Sequence, residues 1–265
     1  MSEVQQPSSL EEKSLRSFLL YSPKVEPGRV NELVILFHGF GGDAYNSDEM
    51  AGLLREKHGY STYRLDFSTV AGTLEGLVRE IKAQLQKIGF GKDFERVHLV
   101  GHSMGGLVAM IAIQTWRFDN IGKVVALGTP FKGSKVYRNI DQISPWLRHT
   151  LFLRYQSQMT AMVSEKKPKN LKVEIGLIAG NKSYTLDYLL SLGASEKQYE
   201  VRKASFRRPN DGSVEVDSAL GLRKTAVKDT ITVNKNHQEL FRGKGMARLI
   251  SRFLQTGKFS RPSGG

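Results

Sequence analysis

Six short β-rich segments of this chain alternate with helical patterns, and several of the six are apolar almost without interruption. The segments are "ELVILFHG" (32–39), "YSTYRLDF" (60–67), "ERVHLVGHS" (95–103), "GKVVALGTP" (122–130), "KVEIGLIAG" (172–180) and "DTITVN" (229–234). A strand with one wet face alternates apolar and polar residues, whereas a nearly continuous apolar strand needs cover on both faces, as in a parallel sheet. The cover follows in order, because 47–57, 72–88, 104–116, 145–163 and 237–254 carry apolar residues at helical spacing. Strand and helix in regular alternation predict an α/β fold, a mostly parallel sheet flanked by helices. "LRSFLLYSP" (15–23) offers one further edge strand.

With 265 residues, 40% of them hydrophobic, the chain can bury one substantial core. A single domain is expected over 14–255, with polar, disordered tails at 1–13 and 256–265. The absence of cysteine rules out disulfides and thiolate metal sites. The first residues lack the basic-then-apolar pattern of a secretion leader, and no apolar run is long enough to span a bilayer, so a cytoplasmic protein is expected. Lys and Arg outnumber Asp and Glu by 39 to 26, a net charge of +13 that favours peripheral contact with anionic membrane surfaces. Nucleic acid is not an expected partner, because charge is the sole signal for it and no recognition module accompanies that charge.

The third apolar segment runs straight into a helix through "VHLVGHSMGGLVAM" (97–110), which contains Gly101-His102-Ser103-Met104-Gly105. A tight strand-to-helix turn brings its neighbours so close that the residues two before and two after the serine must lack a Cβ. Such a turn lifts the Ser103 hydroxyl at the carboxyl edge of the sheet, where open α/β sheets bind ligands. It also sets the Met104 amide at a helix N-terminus, facing developing negative charge.

Together with "FHGFGG" (37–42), "LGTPFKGS" (127–134), "NDGSVEVDSA" (210–219) and "VNKNHQEL" (233–240), this motif resembles the α/β-hydrolase superfamily, and within it the bacterial lipase and esterase branch. The five motifs fall in matching order over most of 30–255. The resemblance implies an α/β-hydrolase fold with a helical cap or lid insertion, placed at 135–170, and a serine hydrolase. It also implies an oxyanion hole formed by the backbone amides of Phe40 and Met104. In that fold the chain order is serine, acid, histidine. Of the six histidines, His149 and His237 follow Ser103; His149 sits in a helical segment ahead of most candidate acids. His237, after the last strand and at the start of the last helix, is the expected base. Asp187, Asp211, Asp217 and Asp229 all qualify as the acid by order, and the resemblance favours Asp211. An insertion must then return the chain to the active edge, since 181–209 is longer than ordinary loops.

The amphipathic stretch 140–163 reads either as a core-packed helix or as the lid, in which case Trp146, Leu147, Leu151 and Phe152 would line an acyl pocket. A basic cluster at Arg202, Lys203, Arg207 and Arg208 precedes the acid, suited to phosphate or carboxylate but equally to a solvated surface. The expected activity is hydrolysis of lipid-type acyl esters through an acyl-enzyme, with no metal and no cofactor. An acyltransferase or thioesterase would use the same residues, and a basic binding protein on a hydrolase scaffold is the non-enzymatic alternative.

Overall fold

The computed structural model describes residues 24–116, 118–138, 149–165, 173–191, 193, 195–222 and 227–259. Its centre is a six-stranded sheet, every strand parallel to its neighbours. The strands are β1 (Glu32–Phe37), β2 (Ser61–Arg64), β3 (Arg96–His102), β4 (Ile121–Leu127), β5 (Glu174–Gly180) and β6 (Val227–Val233), in the order β2-β1-β3-β4-β5-β6. The expected edge strand at 15–23 lies outside the described residues.

Continuous apolarity does what the sequence requires of it. In β1, Leu33, Ile35 and Phe37 enter one core and Val34 and Leu36 the other, all fully buried. The first core is closed by α2 (Leu74–Lys87), α3 (Met104–Thr115) and α5 (Leu151–Glu165); the second by α1 (Asp48–His58) and α9 (Gly243–Thr256). Helix α3 is apolar on all sides because it lies between β3 and α5, and ten of its twelve residues are buried. Strand β6 is the exception, alternating partly buried with exposed residues as befits an edge. Among the described residues no helix is long and apolar enough to cross a membrane.

Two expectations shift. The final helix does not begin at His237: a short 3-10 turn (Glu239–Phe241) follows, Arg242 is extended, and α9 starts at Gly243. Residues 256–259, expected in the tail, are part of the fold: α9 runs through Thr256 and Phe259 packs on Phe253 with ring centroids 4.7 Å apart. The Phe259 amide donates to Asp229 Oδ2 at 2.8 Å, which occupies one of the four candidate acids at the far end of the sheet.

Short helices α4 (Lys135–Arg138), α6 (Leu186–Ser191), α7 (Glu196–Ser205) and α8 (Val216–Ala219) fill the connections after β4 and β5. Helices α6 and α7 make up most of the 181–209 insertion, and α7 touches α4. Helix α5 is a core helix over its described length: Met159 and Val163 are buried against α3. Residues 140–148, with Trp146 and Leu147, lie outside the described residues.

Candidate active site

The geometry is built from Ser103 outward. Its φ and ψ are 54° and −124°, a left-handed conformation that a residue with a Cβ adopts only under strain, on the order of 1–3 kcal/mol. The strain is held by neighbours: the Ser103 amide donates to the Leu127 carbonyl (2.8 Å) and its own carbonyl accepts from the Gly106 amide (3.1 Å). A Cβ on Gly105 would stand 2.3 Å from the Phe37 carbonyl oxygen, and one on Gly101 would stand 2.5 Å from the Gly105 carbonyl oxygen, so the motif's two glycines answer to backbone contact. The Ser103 hydroxyl is buried and has no hydrogen-bond partner among the described residues. Ser103 gives α3 no side-chain cap, which leaves the first amides of that helix, Met104 foremost, uncapped by a side chain.

Asp211 and His237, 26 residues apart, meet at 2.7 Å from Oδ2 to Nδ1. The His237 amide also donates to the Asp211 carbonyl (2.8 Å), so the two are joined through backbone and side chain. Asp211 Oδ1 is saturated by the amides of Ser213 (2.9 Å) and Val214 (2.7 Å). A carboxylate surrounded by donors accepts from His237, which assigns the proton to Nδ1 and leaves Nε2 with its lone pair. No hydrogen bond to that Nε2 is made among the described residues. Both residues are nearly inaccessible, with side-chain exposures of 5% and 1%.

The other candidates sit elsewhere. Asp217 is exposed and pairs with Arg208; Asp187 and His149 are exposed. The backbone of Leu151 and Phe152 opens α5.

Four contacts explain how a long insertion still delivers Asp211 to the active edge. The loop after β4 is stitched to the Asp211 loop: Ser134 Oγ donates to the Ser213 carbonyl (2.6 Å), Ser218 Oγ donates to the Gly133 carbonyl (2.6 Å) and accepts from the Lys132 amide (3.1 Å), and Lys135 pairs with Glu215 (2.7 Å). "LGTPFKGS" therefore serves the Asp211 loop as well as β4.

The glycine loop carrying Phe40 is braced from the end of β2. The Gly41 amide donates to Thr69 Oγ1 (2.9 Å), the Ala44 amide to Asp66 Oδ1 (3.2 Å) and the Phe67 amide to His38 Nε2 (3.3 Å). His38 Nδ1–H donates to the Gly39 carbonyl (3.0 Å) and its ring stacks on Phe67. Burial lowers its pKa to about 4, so the imidazole is neutral and the Asp66 carboxylate 3.9 Å away faces an uncharged ring.

His102 is the residue that sequence reasoning passed over, having weighed it only as a base. Its Nε2–H donates to the carbonyl of His237 at 2.8 Å; its ring stacks on Phe241 and tilts against His237 at 4.7 Å. Burial, then the neighbouring His237, holds its pKa well below the ordinary value and keeps it neutral. The residue before the serine thus ties the Ser103 turn to the backbone of His237. Its signal was present: a ring side chain directly before the serine in a motif flanked by glycines. Among the described residues no three His, Asp or Glu side chains gather as a metal site.

The comparisons with known proteins agree with this frame. No curated protein shows a significant match to the chain. Among solved structures, the chain is similar to the mature Bacillus licheniformis lipase BlEst2, with 20% identity over 86% of this chain and 94% of that one and a TM-score of 0.63. It is also similar to the Pyrococcus furiosus esterase PF2001, with 15% identity over 96% of each and a TM-score of 0.50. At such identities the likeness is one of fold. The model of the alpha/beta hydrolase fold family matches residues 32–222, the greater part of the chain, and with the parallel sheet and the serine turn already described this makes the protein a member of that family.

Proposed function

We propose that the protein is a carboxylic-ester hydrolase in which Ser103 is the nucleophile, His237 the general base and Asp211 the acid that orients it. The observation that carries this reading is the buried 2.7 Å bond from His237 to Asp211, which leaves the other imidazole nitrogen unengaged, in a loop that His102, the residue before the strained Ser103, holds by its carbonyl. His237 Nε2 takes the Ser103 proton as Oγ attacks the ester carbonyl, and the carbonyl π electrons move to oxygen. The amides of Met104 and Phe40 receive that oxyanion. Collapse breaks the bond to the alkoxy group, which leaves with the proton from His237 Nε2; water then repeats the sequence on the acyl-enzyme and releases the acid. That the Ser103 hydroxyl is unpartnered at rest fits a bond that tightens when substrate arrives.

Lipid-type acyl esters are the substrate class favoured by the motifs and by the lipase and esterase folds the chain is similar to. The test is hydrolysis of p-nitrophenyl esters of increasing chain length by wild type and Ser103→Ala. Loss of turnover in the variant supports the assignment, and a preference for long chains supports the lipid class. Equal rates for the two proteins would exclude Ser103.

A further inference from the structure

The basic cluster ahead of the acid has no part in the chemistry above, yet part of it borders a cavity. Between α6, α7 and the acid's loop lies a recess of about 160 Å³, walled by Tyr184, Leu189, Tyr199 and Phe206, with Lys203 at its rim and Gly212 at its base. The aromatic wall is built directly on the loop: Gly212, at φ +94°, lies so close to the Tyr184 ring that a Cβ would come within 2.5 Å of it. The polar floor is occupied with itself. Ser183 Oγ–H donates to Asn210 Oδ1 (2.8 Å), which also accepts the Gly212 amide (2.8 Å), and Asn210 Nδ2 donates to the Arg208 carbonyl (3.0 Å).

Three aromatic rings and a leucine therefore face a recess whose Ser183, Asn210 and Gly212 groups are bonded to one another, a mostly apolar wall suited to a ring or branched body. A cavity of about 150 Å³ suffices for a single benzene ring. At the rim, Lys203 Nζ lies 5.6 Å from the centre of the Tyr199 ring, and its one carboxylate contact among the described residues is Glu200 at 3.9 Å. Both of those side chains are about two-thirds exposed, a loose pair that water and salt screen and an incoming anion can replace. Exposed Arg207 is near in sequence, and the chain's surplus of positive charge draws anions toward it.

We propose that this recess is a binding site for a small aromatic or branched monocarboxylate, the ring or branched body between Tyr184, Tyr199 and Phe206 and the carboxylate on Lys203. It is separate from the Ser103 site: neither Ser103, His237, Phe40 nor Met104 lines it, and the Asp211 carboxylate is turned away toward His237. Its occupant rests against Asn210 and Gly212, the residues on either side of Asp211.

The test is isothermal titration of the full chain with benzoate and with neutral benzamide, in wild type, Ser103→Ala, Lys203→Met and Lys203→Arg. Because Lys203 is exposed, its substitution leaves the core intact. The expected results are saturable one-to-one binding of benzoate, at least tenfold weaker binding of benzamide, and a Kd unchanged by Ser103→Ala. Lys203→Met should weaken benzoate about tenfold, the equivalent of about 1.4 kcal/mol, and Lys203→Arg should restore most of it. Absence of saturable binding, equal affinity for benzamide, or loss of binding in Ser103→Ala would each overturn the proposal. Binding is read without turnover, so failure of the hydrolase reading would leave this result standing, and the reverse.

Discussion

The same sheet holds a buried histidine bonded to a carboxylate at each end, and the two histidines differ in one nitrogen. At the amino edge, His98 on β3 donates from Nε2 to Glu32 (3.1 Å) and accepts the Lys123 amide at Nδ1 (2.9 Å). At the carboxyl edge, His237 gives Nδ1 to Asp211 and keeps Nε2 unengaged among the described residues. The first histidine is a strand residue with both nitrogens spent, while the second stands in a loop whose backbone is bonded to His102, the residue before the strained Ser103. A histidine beside a carboxylate is thus a structural pair when both nitrogens are occupied, and a candidate base when one is free at the edge where ligands bind.

Kinetics should separate the two ends most widely. Ser103→Ala or His237→Ala should lower kcat/KM on esters about 10⁴-fold or more, and Asp211→Asn by about 10³- to 10⁴-fold, because the amide disfavours the tautomer that leaves Nε2 basic. His98→Gln should leave kcat/KM within about threefold while lowering the melting temperature, since Glu32 loses a buried donor. An activity loss at His98 comparable to that at His237 would erase the distinction between the two ends.

Backbone crowding at the carboxyl edge comes next in size. Gly105→Ala places a methyl between the Phe37 and His38 carbonyl oxygens, at 2.3 and 2.4 Å, neither of which is a flexible side chain. It should cost about 3 kcal/mol or more in denaturant unfolding.

Acid should act at both ends. Burial lowers His38 and His98 to about 4 and His102 well below the ordinary value. In each case the unfolded chain binds the proton first, so stability is intact above about pH 6.5 and is lost as pH falls toward 4. Each of His38 and His98 contributes on the order of 3 kcal/mol to that loss. Asp66 and Glu80, raised by burial, act in the opposite sense and offset part of it. Thermal melts from pH 7 to 4 should show a steep decline whose slope is reduced in His98→Gln.

The smallest expected effect is a gain. Gly245 lies in the first turn of α9, and a methyl added there would meet nothing within 4 Å, so Gly245→Ala should stabilise by about 0.5–1 kcal/mol with activity unchanged.

Much of this arrangement was legible in the residues. Apolar runs such as "ELVILF" demand two-sided cover and mark the inner strands, β-rich stretches between helical patterns mark the two edge strands, and the glycines around Ser103 specify a turn through their contacts. The pairing of Asp211 with His237 came from the family resemblance, since motif order left four candidate acids and nothing local relates residues 26 apart. Less legible were features set by tertiary contact. The helix expected from His237 breaks because Arg242 is extended before Gly243, a backbone choice that apolar spacing does not record. Phe259 sits in a polar tail, yet it is buried on Phe253, which composition alone could not reveal. The hydroxyls of Ser134 and Ser218 look like ordinary loop residues until the acid's loop folds against them.

The most direct measurement is labelling with a fluorophosphonate probe, followed by mapping of the modified peptide. The account predicts a single adduct on Ser103, absent from Ser103→Ala and formed far more slowly in Asp211→Asn and His237→Ala. An adduct on another residue, or labelling at an undiminished rate without His237, would contradict it.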